Sequence, residues 1–215
     1  MKIRICYREY QGEKTSQHQM AHRLLEEMLE KEGVNSPFSY GKEKGGKPFL
    51  TERPEIKFNI SHCPVCVACA VGDVPIGIDV ERRFPWKEKL AQRSAHPQEY
   101  RDLKALPVQM AQAALGIIWS GKESYLKCIG TGLRRDLRTF RVWFPDMMAA
   151  ESFRQEPLRD RENTDQTERI FRPWQSNYLC RIDGREWQFG MLQTEEYTLS
   201  VCAPPGTEWE IQEKR

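Results

Sequence analysis

Two segments most constrain what this 215-residue chain can fold into, because each carries acidic residues in a regular pattern. The first is GIDVE at residues 77–81, and the second is WSGKESYLKCIGTGL at residues 119–133. In GIDVE the acids are two positions apart, so on an extended strand both carboxylates point to the same face. Two acids on one face repel each other unless a cation lies between them.

The second segment has the spacing of a helix. Trp119, Glu123 and Lys127 recur every four residues, which places them on one stripe, with Lys122 one position away. A third acid and a cation are thereby presented together. A few carboxylates completed by water and phosphate oxygens suit Mg²⁺, and a nearby lysine can neutralise a departing phosphate. Together the two segments predict an Mg²⁺-assisted transfer of a phosphoryl-type group.

The pattern of apolar residues predicts a mixed α/β fold of the α+β kind, in which each half has a helix followed by antiparallel strands. Helices are predicted at residues 16–31, 97–106 and 107–130. Strands are predicted at residues 2–7, 56–60, 65–71, 76–80, 140–144, 178–182, 187–192 and 197–203. The strands at 65–71 and 76–80 are predicted to join through a tight turn at Gly72 and Asp73.

Two stretches are predicted to be loops. Residues 35–54 are polar and rich in glycine and lysine, so their backbone can approach an anion closely while the side chains add positive charge. This is a candidate phosphate loop. Residues 151–169 are dense in charge of both signs and poor in apolar side chains, which predicts an exposed, mobile loop.

Composition excludes several classes of protein. A formal net charge of +2 does not suggest a nucleic-acid partner bound through a broad basic surface. The first ten residues include Lys2, Arg4 and Arg8, so they lack the apolar core of a signal peptide, and no apolar run reaches membrane-spanning length. Seven irregularly spaced cysteines indicate reduced thiols. We therefore expect a cytoplasmic protein with no membrane partner.

Three of the cysteines, Cys63, Cys66 and Cys69, have the spacing C-x₂-C-x₂-C, which resembles part of a metal site. If residues 65–71 form a strand, however, Cys66 and Cys69 point to opposite faces. A fourth ligand at suitable spacing is also absent from the sequence. The pattern therefore favours small apolar thiols packed in a sheet.

The other polar candidates have ordinary explanations when taken singly. His62 fits an exposed histidine, Arg23 a polar residue on the first helix, and Lys47 a surface turn. Glu123 and Lys127 fit an i,i+4 salt bridge on a solvated helix face. Their order along the chain is more informative, since Arg23, Gly46-Lys47-Pro48, FNISH, GIDVE and WSGKESYLKCIGTGL follow one another.

In that order the sequence resembles the 4′-phosphopantetheinyl transferase family, in its larger single-chain class that activates peptide and polyketide synthases such as surfactin synthetase. The most specific part is W-S-x-K-E-S-Y-x-K-x-x-G-x-G-L with G-I-D-V-E upstream. The resemblance implies two similar subdomains, 1–75 and 76–215, related by pseudo-two-fold symmetry, each with a helix packed on an antiparallel sheet. It also implies a monomer with one complete site in the cleft between them.

The family transfers the phosphopantetheine arm of coenzyme A to a serine of an apo acyl or peptidyl carrier protein, with Mg²⁺, and releases adenosine 3′,5′-bisphosphate. The resemblance makes Asp79, Glu81 and Glu123 the metal-binding acids. Glu123, or a water that it orients, would take the serine proton, and Lys127 would stabilise or protonate the leaving phosphate. Asp79, Lys122 and Lys127 would lie at the pyrophosphate, and the sequence does not separate the roles of the two lysines.

The resemblance also implies how the rest of the substrates bind. Arg23, Lys47 and His62 would surround the 3′-phosphate and adenosine end of coenzyme A, in a pocket shaped by Gly46, Pro48 and Ser61. Cys63 stands where a small residue such as serine is more usual, and we expect its thiol to make the pocket sensitive to oxidation. The carrier protein is expected to dock on residues 84–106.

Two other functions use the same residues. An Mg²⁺-dependent hydrolase of nucleotide pyrophosphates would keep the acids but use water in place of a serine hydroxyl. A noncatalytic protein would bind coenzyme A in the cleft without transferring its phosphopantetheine group. All three acids and both lysines are present, so the sequence gives no sign that catalytic residues have been lost.

Overall fold

A computed structural model describes residues 1–10, 14–144 and 172–214 of the chain, and the charged stretch at 151–169 lies outside them. The predicted mixed α/β fold is confirmed. Its helices are α1 (Lys14–Lys31), α2 (Glu88–Ser94), α3 (Pro97–Lys104) and α4 (Val108–Ile129). Its strands are β1 (Lys2–Glu9), β2 (Tyr40–Lys42), β3 (Pro48–Leu50), β4 (Lys57–Cys63), β5 (Cys66–Gly72), β6 (Gly77–Arg82), β7 (Arg172–Ile182), β8 (Arg185–Gln193), β9 (Tyr197–Ala203) and β10 (Glu208–Glu213).

Two four-stranded sheets pack face to face between helices. The first sheet has the strand order β10-β1-β5-β4, and the second has the order β6-β9-β8-β7. An apolar core that includes Ile5, Ile78 and Val201 fills the space between the sheets. Helix α1 covers the outer face of the first sheet, and α4 covers the outer face of the second. The catalytic candidates lie where these layers meet at one edge.

Strand β5 shows why the first sheet is covered on both faces. Its side chains alternate, so that Cys66 and Ala68 pack in the core between the sheets while Val67 and Cys69 pack against α1. The prediction that Cys66 and Cys69 point to opposite faces is therefore confirmed. Burial raises the pKa of both thiols, which disfavours the thiolate form that binds metals.

The edge strands of the two sheets lie side by side and are joined by polar side chains. Oδ1 of Asn59 on β4 accepts a hydrogen bond from the backbone N–H of Ile78, at 2.8 Å. Oγ of Ser61 accepts one from the N–H of Val80, at 3.1 Å. Because Asn59 and Ser61 are two residues apart, they reach β6 from the same face of β4. We call the groove along β4 and β6 the edge cleft.

Three sequence predictions are wrong. Strands β5 and β6 do not form a hairpin through Gly72 and Asp73, because they belong to different sheets. Residues 140–144 form no strand, since the N–H of Val142 donates to the buried carboxylate of Glu99 at 2.6 Å and not to a neighbouring strand. The loop predicted at 35–54 contains the hairpin β2–β3, which turns through Gly46 at a positive φ of 89°.

The sequence also failed to predict α2 and β10. Strand β10 pairs in parallel with β1, so the first sheet is mixed and takes strands from both sides of residue 75. The division into subdomains 1–75 and 76–215, and the pseudo-two-fold symmetry, stay predictions.

The ends of α4 are as predicted, with Pro107 before its first turn and Gly130 in the left-handed conformation after its last. Within the described ranges, the helices are all too short or too polar to span a bilayer.

Candidate active site

Two glycines allow the elements that carry the sequence motifs to approach closely. A methyl group on Gly77 would collide with the carbonyl oxygen of Ser124 in α4, so β6 and α4 touch through their backbones. A methyl group on Gly45 would collide in the same way with the carbonyl oxygen of Gly130. The β2–β3 hairpin is thus seated on the C-terminal end of α4. These two contacts bring GIDVE, GKP and the α4 segment together.

The centre of the edge cleft is an ion pair. Nζ of Lys127 lies 2.7 Å from Oδ1 of Asp79 and 3.0 Å from Oγ of Ser61. Ser61 donates to the same Asp79 oxygen at 3.3 Å. Asp79 is buried, whereas the side chain of Lys127 is 28% exposed. The pair therefore faces the solvent through its lysine.

The other two predicted metal-binding acids interact electrostatically with Asp79. Burial, helped by the charges of Asp79 and Glu81 and opposed by Lys127, raises the pKa of Glu123 to about 7. Burial also raises the pKa of Glu81, with Asp79 as the next cause, while a hydrogen bond with Trp119 opposes the change. Glu81 and Glu123, whose pKa values are raised partly by the charge of Asp79, gain from a nearby cation.

The oxygens that these acids leave free determine whether they fit a divalent cation. Within residues 1–10, 14–144 and 172–214, no three His, Cys, Asp or Glu side chains are arranged to hold one metal ion. Oδ2 of Asp79 and Oε1 of Glu123 are nevertheless buried without a hydrogen-bond partner among the described residues. Mg²⁺ commonly uses one or two carboxylates and takes its other ligands from water and substrate phosphates. The residues present fit that pattern.

Lys122 lies away from the edge cleft. Its side chain is fully buried, and its ammonium donates to Oε2 of Glu99 at 2.6 Å and to the carbonyl oxygens of Ser94 and Leu137 at 2.9 and 2.8 Å. All three of its protons are thus used inside the protein. This placement contradicts the prediction that Lys122 contacts the pyrophosphate. The sequence did not distinguish the roles of Lys122 and Lys127, whereas the structure does, because Lys122 is buried and Lys127 is partly exposed.

Lys47 and Pro48 line a cavity of ≈ 310 Å³ beneath the β2–β3 hairpin, together with Phe49, Phe58 and Trp187. Nζ of Lys47 donates to the carbonyl oxygens of Ile76 and Cys128, at 2.7 and 3.0 Å. Burial lowers the pKa of this lysine. The cavity is of a size and apolar character suited to part of a small organic ligand.

On the opposite side of the edge cleft, His62 lies near α1. The ring centroids of His62 and His18 are 6.0 Å apart, and those of His18 and His22 are 4.4 Å apart. Arg23 is exposed on α1, about 100° around the helix from His22. His22 therefore lies on the side of α1 that carries His18 and faces His62, and the role of Arg23 stays a prediction.

The sequence predictions assigned no functional role to three polar residues of this region. His18 and His22 have the i,i+4 spacing that places two side chains on one helix face, and this signal was available in the sequence. Asn59 alternates with Ser61 in FNISH, which is also a visible pattern. Neither pattern identifies the partner that the side chains meet, since that partner lies elsewhere in the chain.

Comparison with known proteins identifies the family to which the chain belongs. The family model of the 4′-phosphopantetheinyl transferase superfamily matches residues 75–202, and the chain belongs to that superfamily. A 4′-phosphopantetheinyl transferase of Bacillus subtilis is 39% identical over 108 residues, covering 50% of this chain and 48% of the relative. The 4′-phosphopantetheinyl transferase Sfp of Bacillus subtilis strain 168 is 32% identical over 139 residues, covering 64% and 62%.

A third relative, the 4′-phosphopantetheinyl transferase psf-1 of Bacillus pumilus, is 37% identical over 98 residues, covering 46% of this chain and 42% of the relative. The matches thus span from under half to somewhat over half of these relatives. The predicted class, that of the larger Sfp-like transferases, is confirmed.

Proposed function

We propose that this protein transfers the 4′-phosphopantetheine group of coenzyme A to a serine hydroxyl of an apo acyl or peptidyl carrier protein, and releases adenosine 3′,5′-bisphosphate. The observation that carries the proposal is the Lys127–Asp79 pair at 2.7 Å, set beside two buried carboxylate oxygens that have no partner among the described residues. This arrangement offers both a cation for phosphate oxygens and acids for a divalent metal.

Asp79 and Glu123 would hold Mg²⁺ with their unpartnered oxygens, and Glu81 would add negative charge beside them. When bound, the ion supplies neutralisation of charge on the pyrophosphate oxygens. Lys127 contributes to the same task from the protein side, because its partly exposed ammonium can contact the leaving phosphate while Asp79 fixes its position. Ser61 restricts the lysine further by accepting its second hydrogen bond.

Glu123 would remove the proton from the carrier serine. Burial raises the pKa of Glu123 to about 7 in the metal-free protein, and a bound cation would favour the carboxylate form that a general base requires. The serine oxygen forms a bond to the phosphorus that bears the pantetheine arm, and the bond from that phosphorus to the bridging pyrophosphate oxygen breaks. The electron pair leaves with adenosine 3′,5′-bisphosphate, whose new charge lies near Lys127.

The adenosine end of coenzyme A would occupy the cavity beneath the hairpin. Lys47 and Pro48 lie there, with Phe49, Phe58 and Trp187 offering aromatic surface to a planar base. His62 belongs to β4, which forms one side of the edge cleft. These contacts support the roles of Lys47, Pro48 and His62 implied by the family resemblance, whereas Lys122 is buried elsewhere.

The direct test is the intact mass of an apo carrier protein after incubation with this protein, coenzyme A and Mg²⁺. We expect a mass gain of one phosphopantetheine group, lost when EDTA is added and lost when the carrier serine is replaced by alanine. Release of adenosine 3′,5′-bisphosphate without a carrier would identify a hydrolase instead. Binding of coenzyme A with neither product would identify a noncatalytic binding protein.

A further inference from the structure

The two strands that line the edge cleft belong to different sheets, so the contact between them depends on side chains. Strand β4 is an edge strand of the first sheet, and β6 is an edge strand of the second. Every second N–H group of an edge strand points away from its ladder and needs another acceptor. In β6 the N–H of Ile78 donates to Asn59 at 2.8 Å, and the N–H of Val80 donates to Ser61 at 3.1 Å. These two side chains thus take the place of a neighbouring strand.

Asp79 lies between the two backbone groups that are bound in this way. Its neighbours Ile78 and Val80 direct their side chains into the core between the sheets, where both are buried. The side chain of Asp79 therefore points to the other face of β6, where it meets Lys127 of α4. Its carbonyl oxygen accepts a hydrogen bond from Oγ of Ser120 at 3.2 Å. The position of the Asp79 carboxylate is thus set by where β6 lies between β4 and α4.

Asn59 and Ser61 differ in what else they contact. Oγ of Ser61 also lies within hydrogen-bond distance of Lys127 and of Asp79. Asn59 makes no hydrogen bond with either charged group within the described part of the chain, and the N–H of Ile78 is its link to the site. Asn59 is only 7% exposed, so loss of its amide would leave a buried N–H group unpaired. Asn59 can therefore influence the acids only through the placement of β6.

We propose that Asn59 is a positioning residue for the transfer reaction, because it fixes β6 against β4 and thereby sets the place of the Asp79 carboxylate beside Lys127. The inference rests on the proposed function for the reaction in which Asp79 acts. No covalent bond changes at Asn59. The geometry that it maintains keeps Oδ1 of Asp79 on the ammonium, and leaves Oδ2 without a hydrogen-bond partner among the described residues.

A small movement of β6 would disturb two tasks of the same carboxylate. Asp79 orients the ammonium of Lys127 with one oxygen and keeps the other available beside Glu123. Groups with such roles must be held to within about 0.5 Å. Misplacement of a catalytic group by about 1 Å can lower a rate by about a hundredfold. The hydrogen bond from Ile78 to Asn59 therefore matters for the rate as well as for stability.

The test compares the parent with Asn59→Leu, which has a similar size but no acceptor for the N–H of Ile78. We expect kcat for carrier modification to fall about ten- to hundredfold. The Mg²⁺ concentration for half-maximal rate should rise, and KM for coenzyme A should change less than kcat. In the metal-free protein, acetic anhydride should acetylate Lys127 faster, because Asp79 stabilises its ammonium less well. Peptide mass spectrometry measures that reaction without any transfer activity.

The matched control is Gln188→Met, which breaks a comparable buried bond away from the cleft. Gln188 is 3% exposed, and its Oε1 accepts a hydrogen bond from the N–H of Thr207 at 3.1 Å. It lies on β8, which β9 separates from β6. Both variants should lower the melting temperature. In the control, kcat, the Mg²⁺ requirement and the acetylation rate of Lys127 should stay at the values of the parent.

Two further variants sharpen the test. Asn59→Ala leaves room for a water molecule at the N–H of Ile78, so it should fold even if Asn59→Leu does not, with changes in the same direction. In an Asp79→Asn background, Asn59→Ala should lower the transfer rate by less than about twofold, because the group through which it acts is already lost. A loss of the same size in both backgrounds would contradict the inference.

The outcomes separate this inference from the proposed function. Unchanged kcat and unchanged acetylation of Lys127 in a folded Asn59 variant would overturn the inference and leave the transferase function intact. Equal losses of kcat in the Asn59 variants and in Gln188→Met would also overturn it, since both would then reflect stability alone. If the parent modified no carrier protein, faster acetylation in Asn59→Leu would support the inference while the transferase function failed. Unchanged acetylation in that case would refute both.

Discussion

The ammonium of Lys127 lies 2.7 Å from Oδ1 of Asp79, and this contact joins the two sequence segments that carry the acids. The two residues are 48 positions apart and lie on different elements, α4 and β6. The other Asp79 oxygen has no hydrogen-bond partner among the described residues, and the charge of Asp79 helps to raise the pKa of Glu123. Asp79 thus pairs with the lysine and keeps one oxygen available.

We expect Asp79→Asn to lower phosphopantetheine transfer by about a hundredfold or more, because it removes the charge that orients Lys127 and attracts the metal. The fold should be retained, since asparagine has the same shape. The measurement is the initial rate of carrier modification, together with a thermal melt. Asp183→Asn is the matched control, because Asp183 pairs with Arg135 at the surface and its positive φ of 52° suits asparagine. Equal rates for both variants would contradict the assignment.

The buried pair of Lys122 and Glu99 should be important for stability. Lys122→Met leaves the Glu99 carboxylate buried without its cation, and we expect a loss of about 3–5 kcal/mol in the free energy of unfolding. The double variant Lys122→Met/Glu99→Met should lose less than the single variant, because no unpaired charge remains. Urea denaturation measures both. If Lys122→Met were as stable as the parent but unable to bind coenzyme A, that result would support the sequence prediction that Lys122 contacts the pyrophosphate.

Glu123 should make the stability of the metal-free protein depend on pH. Its pKa is raised in the folded state to about 7, so its contribution is fully present below the unfolded pKa near 4.5 and is lost as pH rises through 7. We expect Glu123→Gln to flatten the stability curve between pH 5 and pH 8 in EDTA. Melting temperatures across that range are the readout, and an unchanged slope would show that Glu123 is not the titrating group.

The close approach of β6 and α4 should be intolerant of any side chain. Gly77→Ala would place a methyl group against backbone atoms of Ser124 and Cys128, which cannot rotate away, so we expect a loss of several kcal/mol, on the scale of a severe core clash. Gly116→Ala is the comparison within α4, because its nearest neighbour is a side-chain hydroxyl, Oγ1 of Thr198 at 3.2 Å. Chemical denaturation should show the first variant strongly destabilised and the second within about 1 kcal/mol of the parent.

The cysteines should react slowly in the native protein. Cys63 is buried, and burial raises the pKa of its thiol, with Glu81 and Asp79 adding to the effect. This environment disfavours the thiolate, which argues against the oxidation sensitivity expected from its position in the sequence. We expect the oxidant resistance of transfer activity to be the same in Cys63→Ser and the parent. A clear gain in resistance for the variant would support the original expectation.

The sequence determined much of the local structure, because short-range patterns are sufficient for it. The spacing of Trp119, Glu123 and Lys127, with Pro107 and Gly130 at the two ends, predicted α4 almost to the residue. The alternation in residues 65–71 predicted the two faces of β5. The joint pattern of GIDVE and the α4 segment also sufficed to identify the family, since it is long and specific.

Only the tertiary structure decided which partners these residues meet. Lys122 and Lys127 have similar sequence surroundings, yet one is buried against Glu99 and the other faces the cleft, because five residues of helix leave two side chains about 140° apart around its axis. Residues 140–144 look like a strand but are held by a carboxylate more than 40 positions away, and β10 returns to pair with β1. The contact between His18 and His62 likewise depends on α1 packing against the first sheet. Contacts between distant segments depend on the packing of whole layers, which local periodicity does not encode.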